Sequence, residues 1–188
     1  MTPRKYGFDD RLVMSNGTAA SGNVRDVLVN CIPGARKVHQ SCTDNDRIGV
    51  DWWVEMVGGK MLGVDAKVRE IDWAATHPEE DDLALETWSV IEKEKVGWTR
   101  DESKRCDYIL WLWTDSKRFC LVPFPMLCAA FNARWREWKK VYKVRQQKTP
   151  WNGGAYHSEC VFVDRKELWR EIYRQCNGPT RQDCYASN

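Results

Sequence analysis

The chain has 188 residues, of which 43% are hydrophobic and 30% charged, and its formal net charge is +2. These values are ordinary for a soluble globular protein, and the length suits one domain with a full core. A net charge this small identifies no partner. The most apolar stretch, FCLVPFPMLCAAF, contains two prolines and is too short to span a membrane.

The cysteines carry no sign of a metal or disulfide framework. They stand at positions 31, 42, 106, 120, 128, 160, 176 and 184, with no C-x-x-C pair and no zinc-site spacing. The opening MTPRKYGFDD is too polar for a secretion signal. We therefore expect reduced thiols in a cytoplasmic protein with no membrane partner.

The first half of the chain predicts one helix and three strands. The first 21 residues are polar and include Asn16-Gly17, so a loosely ordered N-terminal segment is expected over 1–21. Apolar residues at helical spacing predict a helix over 23–32, which Pro33-Gly34 ends. Strands are predicted over 35–40, over 47–56 and, after the tight reversal at Gly58-Gly59, over 61–69.

The second half alternates strands with two further helices. Strands are predicted over 83–91, 108–113, 118–124 and 159–165, the second and third of these forming a hairpin. An amphipathic helix is predicted over 125–142 and a closing helix over 166–176. Together these elements predict a single α/β domain over 22–176, followed by a polar tail over 177–188.

One of the five places where an acidic residue stands two before a lysine has a distinctive context. Asp65 and Lys67 lie in the middle of a predicted strand, where residues two apart share a face. Their neighbours Leu62, Val64 and Ala66 occupy the opposite face. The other four pairs fall in a hydrophilic loop, a turn, a helix and a strand end, so they carry no such indication.

The turn between the two strands decides whether Asp51 joins this pair. A two-residue turn at Gly58-Gly59 would put Asp51 and Asp65 on opposite faces of the sheet. A three-residue connection, Gly58-Gly59-Lys60, would pair Asp51 with Lys67 and Trp53 with Asp65, and all three charged groups would share one face. The second register is the one that a functional site requires.

Two neighbouring carboxylates on one face repel each other unless a cation lies between them. Mg²⁺ favours oxygen ligands and binds through one or two carboxylates together with water and substrate phosphate. A lysine beside them can orient an attacking water and stabilise charge on phosphorus. The alternative is a cross-strand salt bridge between Asp51 and Lys67 on a solvated face, with Asp65 exposed.

The order of these segments resembles the PD-(D/E)XK nuclease superfamily. The matching pieces are the helix over 23–32, the strand over 35–40, DNDRIGVDWWVEM with Asp51, and MLGVDAKVRE with D-x-K. Later segments, including ETWSV and YHSECVFVDRKELW, resemble small phage and mobile-element members, so the similarity covers most of residues 23–173. Val50 stands where many members have proline.

The resemblance implies a fold and a set of site residues. The expected fold is restriction-endonuclease-like, a central mixed β-sheet flanked by helices. Asp51, Asp65 and the Ala66 carbonyl would bind Mg²⁺, for which Mn²⁺ could substitute, and Lys67 would serve catalysis. Glu86 is a further candidate acid, against the alternative of an exposed strand glutamate, and Asp26 is the one candidate for a first-helix acid.

Basic residues are concentrated between positions 134 and 148, where seven of them are opposed only by Glu137. Trp135 and Trp138 lie among them, so this helix could contact nucleic acid through stacking and phosphate pairing. The alternative is an amphipathic helix with a solvated basic face. The candidate nucleic-acid-binding residues are Lys104, Arg134, Lys139, Lys140 and Lys143.

The function that these patterns favour is a Mg²⁺-dependent deoxyribonuclease that hydrolyses DNA phosphodiester bonds. DNA is the expected partner, and a homodimer is left open. One alternative is a catalytically inactive nucleic-acid-binding or inhibitory protein on the same fold. Another is a structural or interaction protein in which D-x-K is a coincidence.

Overall fold

The computed structural model describes residues 18–41, 48–151 and 154–177. The chain divides into two compact units. The first unit is Met1–Asp72 with Arg105–Leu121, and the second is Trp73–Lys104 with Val122–Asn188. The single domain expected over 22–176 stays a prediction beside this division. Most of the predicted N-terminal segment and polar tail, residues 1–17 and 178–188, lies outside the described residues.

Three helices and nine strands make up the regular structure of the described ranges, apart from short 3₁₀ turns. In chain order they are α1 (Thr18–Cys31), β1 (Ala35–Gln40), β2 (Trp52–Met56), β3 (Met61–Arg69), β4 (Asp82–Val90), β5 (Lys95–Val96), β6 (Tyr108–Trp113), β7 (Phe119–Pro123), α2 (Phe124–Val141), β8 (Lys143–Trp151), β9 (Gly154–Asp164) and α3 (Arg165–Asn177). None of these helices is both long and apolar enough to cross a bilayer.

Several predicted boundaries are corrected. Helix α1 begins at Thr18, within the segment expected to be loosely ordered, and β2 begins only at Trp52. Strand β8 was not predicted, and β9 begins at Gly154, five residues earlier than expected. Strand β8 lacks apolar alternation because nearly all of its residues are exposed, so the usual periodic signal of a strand is absent.

The first unit is built on a mixed sheet. Its strand order, among the described residues, is β1-β2-β3-β6-β7. Strands β1, β2 and β3 are antiparallel neighbours, whereas β3 and β6 run parallel. The expected α/β class, with a mixed multi-stranded sheet and flanking helices, is confirmed. The division between the units, after Leu121, falls inside β7.

Helix α1 covers one face of this sheet. Val24 and Leu28 on the helix pack into a buried cluster with sheet residues that include Val54, Val64 and Leu110. The helix ends at a turn in which Gly34 has a φ of 81°, a backbone conformation that favours glycine. The apolar residues that alternate along β2 and β3 therefore face this core, and the residues between them face the opposite side of the sheet.

The second unit has an antiparallel sheet in the order β5-β4-β9-β8, counting described strands. Helices α2 and α3 pack on each other and on β9. The fully buried side chains of this unit come from all of these layers, namely Leu83, Leu85, Leu127, Phe131, Val161, Val163 and Leu168. Strand β8 forms one edge of the sheet.

The core of the first unit predicts a large cost for truncating Leu28, which is fully buried. Leu28→Ala should lower the free energy of unfolding by about 3 kcal/mol, because it removes apolar contacts and leaves a cavity. Val29→Ala on the same helix is the control, since Val29 is 40% exposed and should change stability by less than about 1 kcal/mol. Urea unfolding of both variants measures the difference, and equal losses would contradict the packing of α1.

Candidate active site

The hairpin between β2 and β3 sets the register of the candidate site. Trp53 pairs with Gly63 and Val54 with Leu62, so the predicted pairing of Trp53 with Asp65 is wrong. The Met56 N–H donates to the Lys60 carbonyl, which leaves Val57, Gly58 and Gly59 as the connection. Gly58 and Gly59 have φ values of 96° and 83°, and glycine adopts such angles without steric cost.

The observed connection is therefore three residues long but begins one residue earlier than expected. Displacing a loop by one residue changes the register by two, and a change of two leaves every side chain on its original face. Asp51, Asp65 and Lys67 consequently share the sheet face opposite α1. The predicted residue pairs were wrong, but the prediction that these three residues share one sheet face holds in this register.

Asp51 is held just before β2 by three hydrogen bonds. Its N–H donates to the Val64 carbonyl at 3.0 Å, and its carbonyl accepts from the Ser41 N–H at 2.7 Å. Its Oδ2 accepts a hydrogen bond from the Ala66 N–H at 2.9 Å. The last bond turns the carboxylate towards β3, between the backbone positions of Asp65 and Lys67.

Asp65 and Lys67 lie side by side on β3. The Lys67 Nζ donates to Asp65 Oδ1 at 2.6 Å. Asp65 is only 5% exposed, so the alternative in which it stands on a solvated face is wrong. Across the parallel ladder, Ile109 lies opposite Asp65 and Trp111 opposite Lys67, and both are buried. The charged groups are thus flanked by apolar side chains.

The Asp51 carboxylate is bonded to the backbone N–H of Ala66, the residue between Asp65 and Lys67, so the three charged groups are neighbours. Burial first and the charge of Asp65 second raise the pKa of Asp51 to about 7, although Lys67 and the Ala66 N–H act in the opposite direction. Burial lowers the pKa of Lys67, but Asp65 and Asp51 outweigh it and the net pKa is raised. The lysine is therefore charged, and its one charge faces two acidic groups.

This arrangement suits a divalent cation. Within the described residues, no group of three or more His, Cys, Asp and Glu side chains is placed to hold a metal. A pair of carboxylates is nevertheless what Mg²⁺ usually takes from a protein, with water and phosphate completing its ligands. A cation at Asp51 and Asp65 would relieve the repulsion that burial strengthens. The Ala66 carbonyl as a third ligand stays a prediction.

Two residues beside the site carried no signal in the sequence. Asp107 Oδ2 accepts from the Gly63 N–H at 2.7 Å, and the Asp107 N–H donates to the Gly63 carbonyl at 2.7 Å. A Cβ on Gly63 would lie 2.9 Å from Val50 Cγ2, so a side chain there would displace the residue before Asp51. Asp107 and Gly63 thus anchor the start of β3, two residues before Asp65.

Glu86, the further candidate acid, is engaged within the second unit. Its Oε2 accepts from the Trp98 N–H at 2.9 Å, and its own N–H donates to Thr99 Oγ1 at 2.9 Å. Gly97 passes so close to the Glu86 carbonyl that a Cβ would clash with it. The carboxylate fastens the turn after β5, and its role as an acid stays a prediction. Asp26 is exposed on α1, and its role also stays a prediction.

The candidate nucleic-acid-binding residues differ in whether an acidic side chain already neutralises their charge. Arg134 pairs with Glu137 at 2.8 Å and lies 3.8 Å from Glu171, which is buried. Lys139 pairs with the buried Glu159 at 2.5 Å. The remaining candidates have no ion pair with a described residue: Lys104 is half-buried, and Lys140 and Lys143 are exposed.

The pair of Lys139 and Glu159 belongs to a buried network. Glu159 also accepts from Thr87 Oγ1 at 2.7 Å and from Gln146 Nε2 at 3.3 Å. Burial raises the pKa of Glu159, but the bonds from Lys139, Thr87 and Gln146 outweigh it and lower the pKa overall. Lys139 therefore compensates a buried carboxylate, which limits its use as a phosphate ligand.

The two tryptophans of α2, Trp135 and Trp138, differ in their burial. Trp138 is 2% exposed and packs on Phe131, so for this residue the structure agrees with the alternative of an amphipathic helix. Helical spacing places Trp138 on the apolar face of α2 with Phe131 and Leu127, and only the tertiary structure shows that this face is covered. Trp135 is half-buried and meets Trp88 edge to face, with ring centroids 6.0 Å apart.

Among the cysteines in the described residues, Cys31, Cys128 and Cys176 are free thiols that form no disulfide. Burial first, and then nearby acidic groups, raise the pKa of Cys128 to about 11. A thiol with so high a pKa is protonated at neutral pH and is a poor nucleophile. Cys42 and Cys184 lie outside the described residues.

The chain was compared with protein-family models, with curated proteins and with solved structures, and none of the three comparisons found a match.

The raised pKa of Asp51 predicts a stability effect that depends on pH. An acid whose pKa rises from 3.8 to about 7 on folding costs stability as the pH rises through that interval, and the full cost is present above pH 7. Asp51→Asn keeps an acceptor for the Ala66 N–H and lacks the charge. In EDTA the variant should be more stable than the wild type by about 2 kcal/mol at pH 8, allowing for solvent screening, and nearly equal at pH 4.

Urea unfolding at both pH values measures this difference. Glu70→Gln serves as the control, because Glu70 is exposed just after β3 and should change stability at neither pH. A constant difference between wild type and Asp51→Asn from pH 4 to pH 8 would contradict the raised pKa of Asp51.

Proposed function

We propose that the protein is a Mg²⁺-dependent deoxyribonuclease of the PD-(D/E)XK type, which hydrolyses DNA phosphodiester bonds at Asp51, Asp65 and Lys67. The observation that carries the proposal is the convergence of these three groups on one sheet face. The Asp51 carboxylate accepts a hydrogen bond from the Ala66 N–H, between Asp65 and Lys67, and the Lys67 amine lies 2.6 Å from Asp65 Oδ1. A salt bridge needs one acid for one lysine, whereas this site has a second carboxylate, that of the half-buried Asp51, beside the pair of Lys67 and the buried Asp65.

The arrangement of elements supports the finer assignment of the fold. A helix is followed by three antiparallel strands, and the third of these lies parallel to a later strand. The first acid precedes the second strand and D-x-K lies within the third. This is the order that the superfamily core has by resemblance, and the restriction-endonuclease-like fold is part of the proposal.

Asp51 and Asp65 would hold the Mg²⁺, with the Ala66 carbonyl as an additional ligand and Mn²⁺ as a substitute. When bound, the cation would neutralise phosphate charge and make a water more acidic. The chain's own groups set the geometry: the Ala66 N–H orients the Asp51 carboxylate, and Lys67 orients that of Asp65. Both acids are thereby fixed before any substrate arrives.

Lys67 would act directly on the reacting groups. Its ammonium group can orient the attacking water and stabilise the negative charge that develops on the phosphoryl oxygens. The buried Ile109 and Trp111 flank the site and exclude solvent, which strengthens such electrostatic effects. The hydrogen bond from Lys67 to Asp65 would keep the ammonium group beside the carboxylates, where negative charge would develop on a bound phosphate.

DNA is the proposed partner, and its phosphates are the groups that the basic residues of the second unit would meet. Lys140 is exposed and Lys104 half-buried, and neither has an ion pair in the described ranges, whereas the exposed Lys143 acts on the charge of Asp82. Arg134 and Lys139 would first have to share their ion pairs with Glu137 and Glu159. Cytoplasmic location and a homodimer stay predictions.

Removing one of the acids tests the catalytic proposal. Asp65→Ala should lower the cleavage rate by about 10³-fold or more, because a ligand for the cation and the partner of Lys67 are both lost. DNA binding should be unchanged or slightly tighter, because negative charge that repels phosphate is removed. The assay compares linear, circular and single-stranded DNA in Mg²⁺, in Mn²⁺ and in EDTA, with Glu70→Gln as a surface control.

Two outcomes would decide against the proposal. Cleavage by Asp65→Ala at the wild-type rate would remove the site from consideration. Wild-type protein that binds DNA but cleaves none of the three substrates in either metal would favour the inactive nucleic-acid-binding or inhibitory protein.

Lys67 provides a second test. Lys67→Met keeps most of the side-chain length without the charge, and it should lower kcat by about 10²- to 10⁴-fold with little change in the affinity for DNA measured in EDTA. Lys67→Arg, which keeps the charge, should retain more activity than Lys67→Met. Single-turnover cleavage rates measure kcat apart from binding, and equal rates for wild type and Lys67→Met would assign the lysine a structural role only.

A further inference from the structure

Two arginines of the second unit are stacked on the same tryptophan. The Arg100 guanidinium carbon lies 4.0 Å from the centroid of the Trp135 ring and 4.7 Å from that of Trp88. The Arg136 guanidinium carbon lies 4.6 Å from the Trp135 centroid. Trp88 and Trp135 meet edge to face, so the aromatic rings support each other as well as the arginines. We call Trp88, Arg100, Trp135 and Arg136 the stacked-arginine cluster.

The charges of this cluster are not compensated by an acid. Neither Arg100 nor Arg136 forms an ion pair with a residue in the described ranges, in contrast to Arg134 and Lys139 on the same helix. Arg100 Nη1 donates to the Thr87 carbonyl at 3.1 Å, whereas its buried Nε has no partner in the described part of the chain. Burial first, and then the charge of Arg136, lower the pKa of Arg100.

Holding two like charges together without an acid is unfavourable, and an anion would relieve it. A cation–π contact between a guanidinium and a ring leaves N–H groups of the arginine available for hydrogen bonds. The rings also restrict the side chain, so less conformational entropy is lost when an anion binds. These features suit a ligand with several acceptor oxygens in one group, as in phosphate.

The surroundings favour a repeating anion over a single one. Arg136 and Lys140 are four residues apart and lie on one side of α2. On the edge strand β8, the exposed Lys148 shares a face with Gln146, whose side chain meets Glu159 together with Lys139 of α2. Several exposed cations on this side of the unit suit the repeated phosphates of a nucleic-acid backbone.

We propose that Arg136, together with Arg100, binds a backbone phosphate of a DNA strand at the stacked-arginine cluster. The proposal rests on the proposed function, since it assigns a contact to the same substrate. It also changes the assignment within α2, because Arg134 and Lys139 are held by acids while Arg136 is exposed and held by a ring. Phosphate contacts position a nucleic acid without reading its sequence, so DNA of any sequence should be bound alike.

The test measures binding of a short fluorescein-labelled DNA strand, and of its duplex, by anisotropy in EDTA across a salt series. Arg136→Gln should weaken binding roughly tenfold, because a charge-assisted hydrogen bond to phosphate is lost. The slope of log affinity against log salt should become shallower by about one. Arg136→Lys keeps a point charge but not the planar fork, and should weaken binding by only about threefold.

Lys166→Gln is the matched control, because it removes one exposed positive charge from another helix of the same unit. It should bind DNA within about twofold of the wild type. Equal weakening by Arg136→Gln and Lys166→Gln would overturn the proposal in favour of net charge alone. Wild-type affinity for Arg136→Gln, or a wild type that binds neither DNA, would also overturn it. Thermal unfolding of each variant verifies that it is folded.

The outcome can be separated from that of the catalytic proposal, because no hydrolysis takes place in EDTA. A wild type that cleaves DNA while Arg136→Gln binds normally would remove only the phosphate contact. A wild type that never cleaves DNA, combined with a tenfold loss for Arg136→Gln, would remove the nuclease activity and leave the phosphate contact supported.

Discussion

The half-buried carboxyl group of Asp51 and the buried one of Asp65 are neighbours on one sheet face, and a single lysine compensates them. Two neighbouring carboxylates repel each other, and the repulsion costs more in apolar surroundings than in water. The rest of the structure therefore has to hold the two groups together. The β2–β3 register, the bond from the Ala66 N–H and the anchoring of Gly63 by Asp107 all act to hold the acids in place. In the function proposed above, this arrangement would serve to bind a cation and a phosphate.

The basic side chains of α2 have two different kinds of surroundings. Lys139 and Arg134 are neutralised by Glu159 and by Glu137, so they contribute to the packing of the unit. Arg136 is instead held against a ring with its charge intact. Counting cations along α2 would rank these residues as equal candidates for DNA contact. Their surroundings distinguish them, because an ion pair consumes the charge that a phosphate would need and a stacking contact leaves it available.

Some elements could not be found from local patterns. Strand β8 is exposed along nearly its whole length, so it has no alternating apolar face, and its pairing with β9 is what makes it a strand. The burial of Trp138 and the engagement of Glu86 with the turn at Trp98 likewise depend on segments distant in the chain. At these three places, partners distant in the chain decide the outcome.

The sequence by itself determined the α/β class, most of the helices and strands, and the shared face of Asp65 and Lys67. These follow from periodicity, which is a local property of the backbone. The tertiary structure alone decided the loop Val57-Gly58-Gly59, the burial of Asp65 and the proximity of Asp51. Register, burial and charge compensation depend on which distant groups meet, and side chains of the same type along one helix can therefore have different roles.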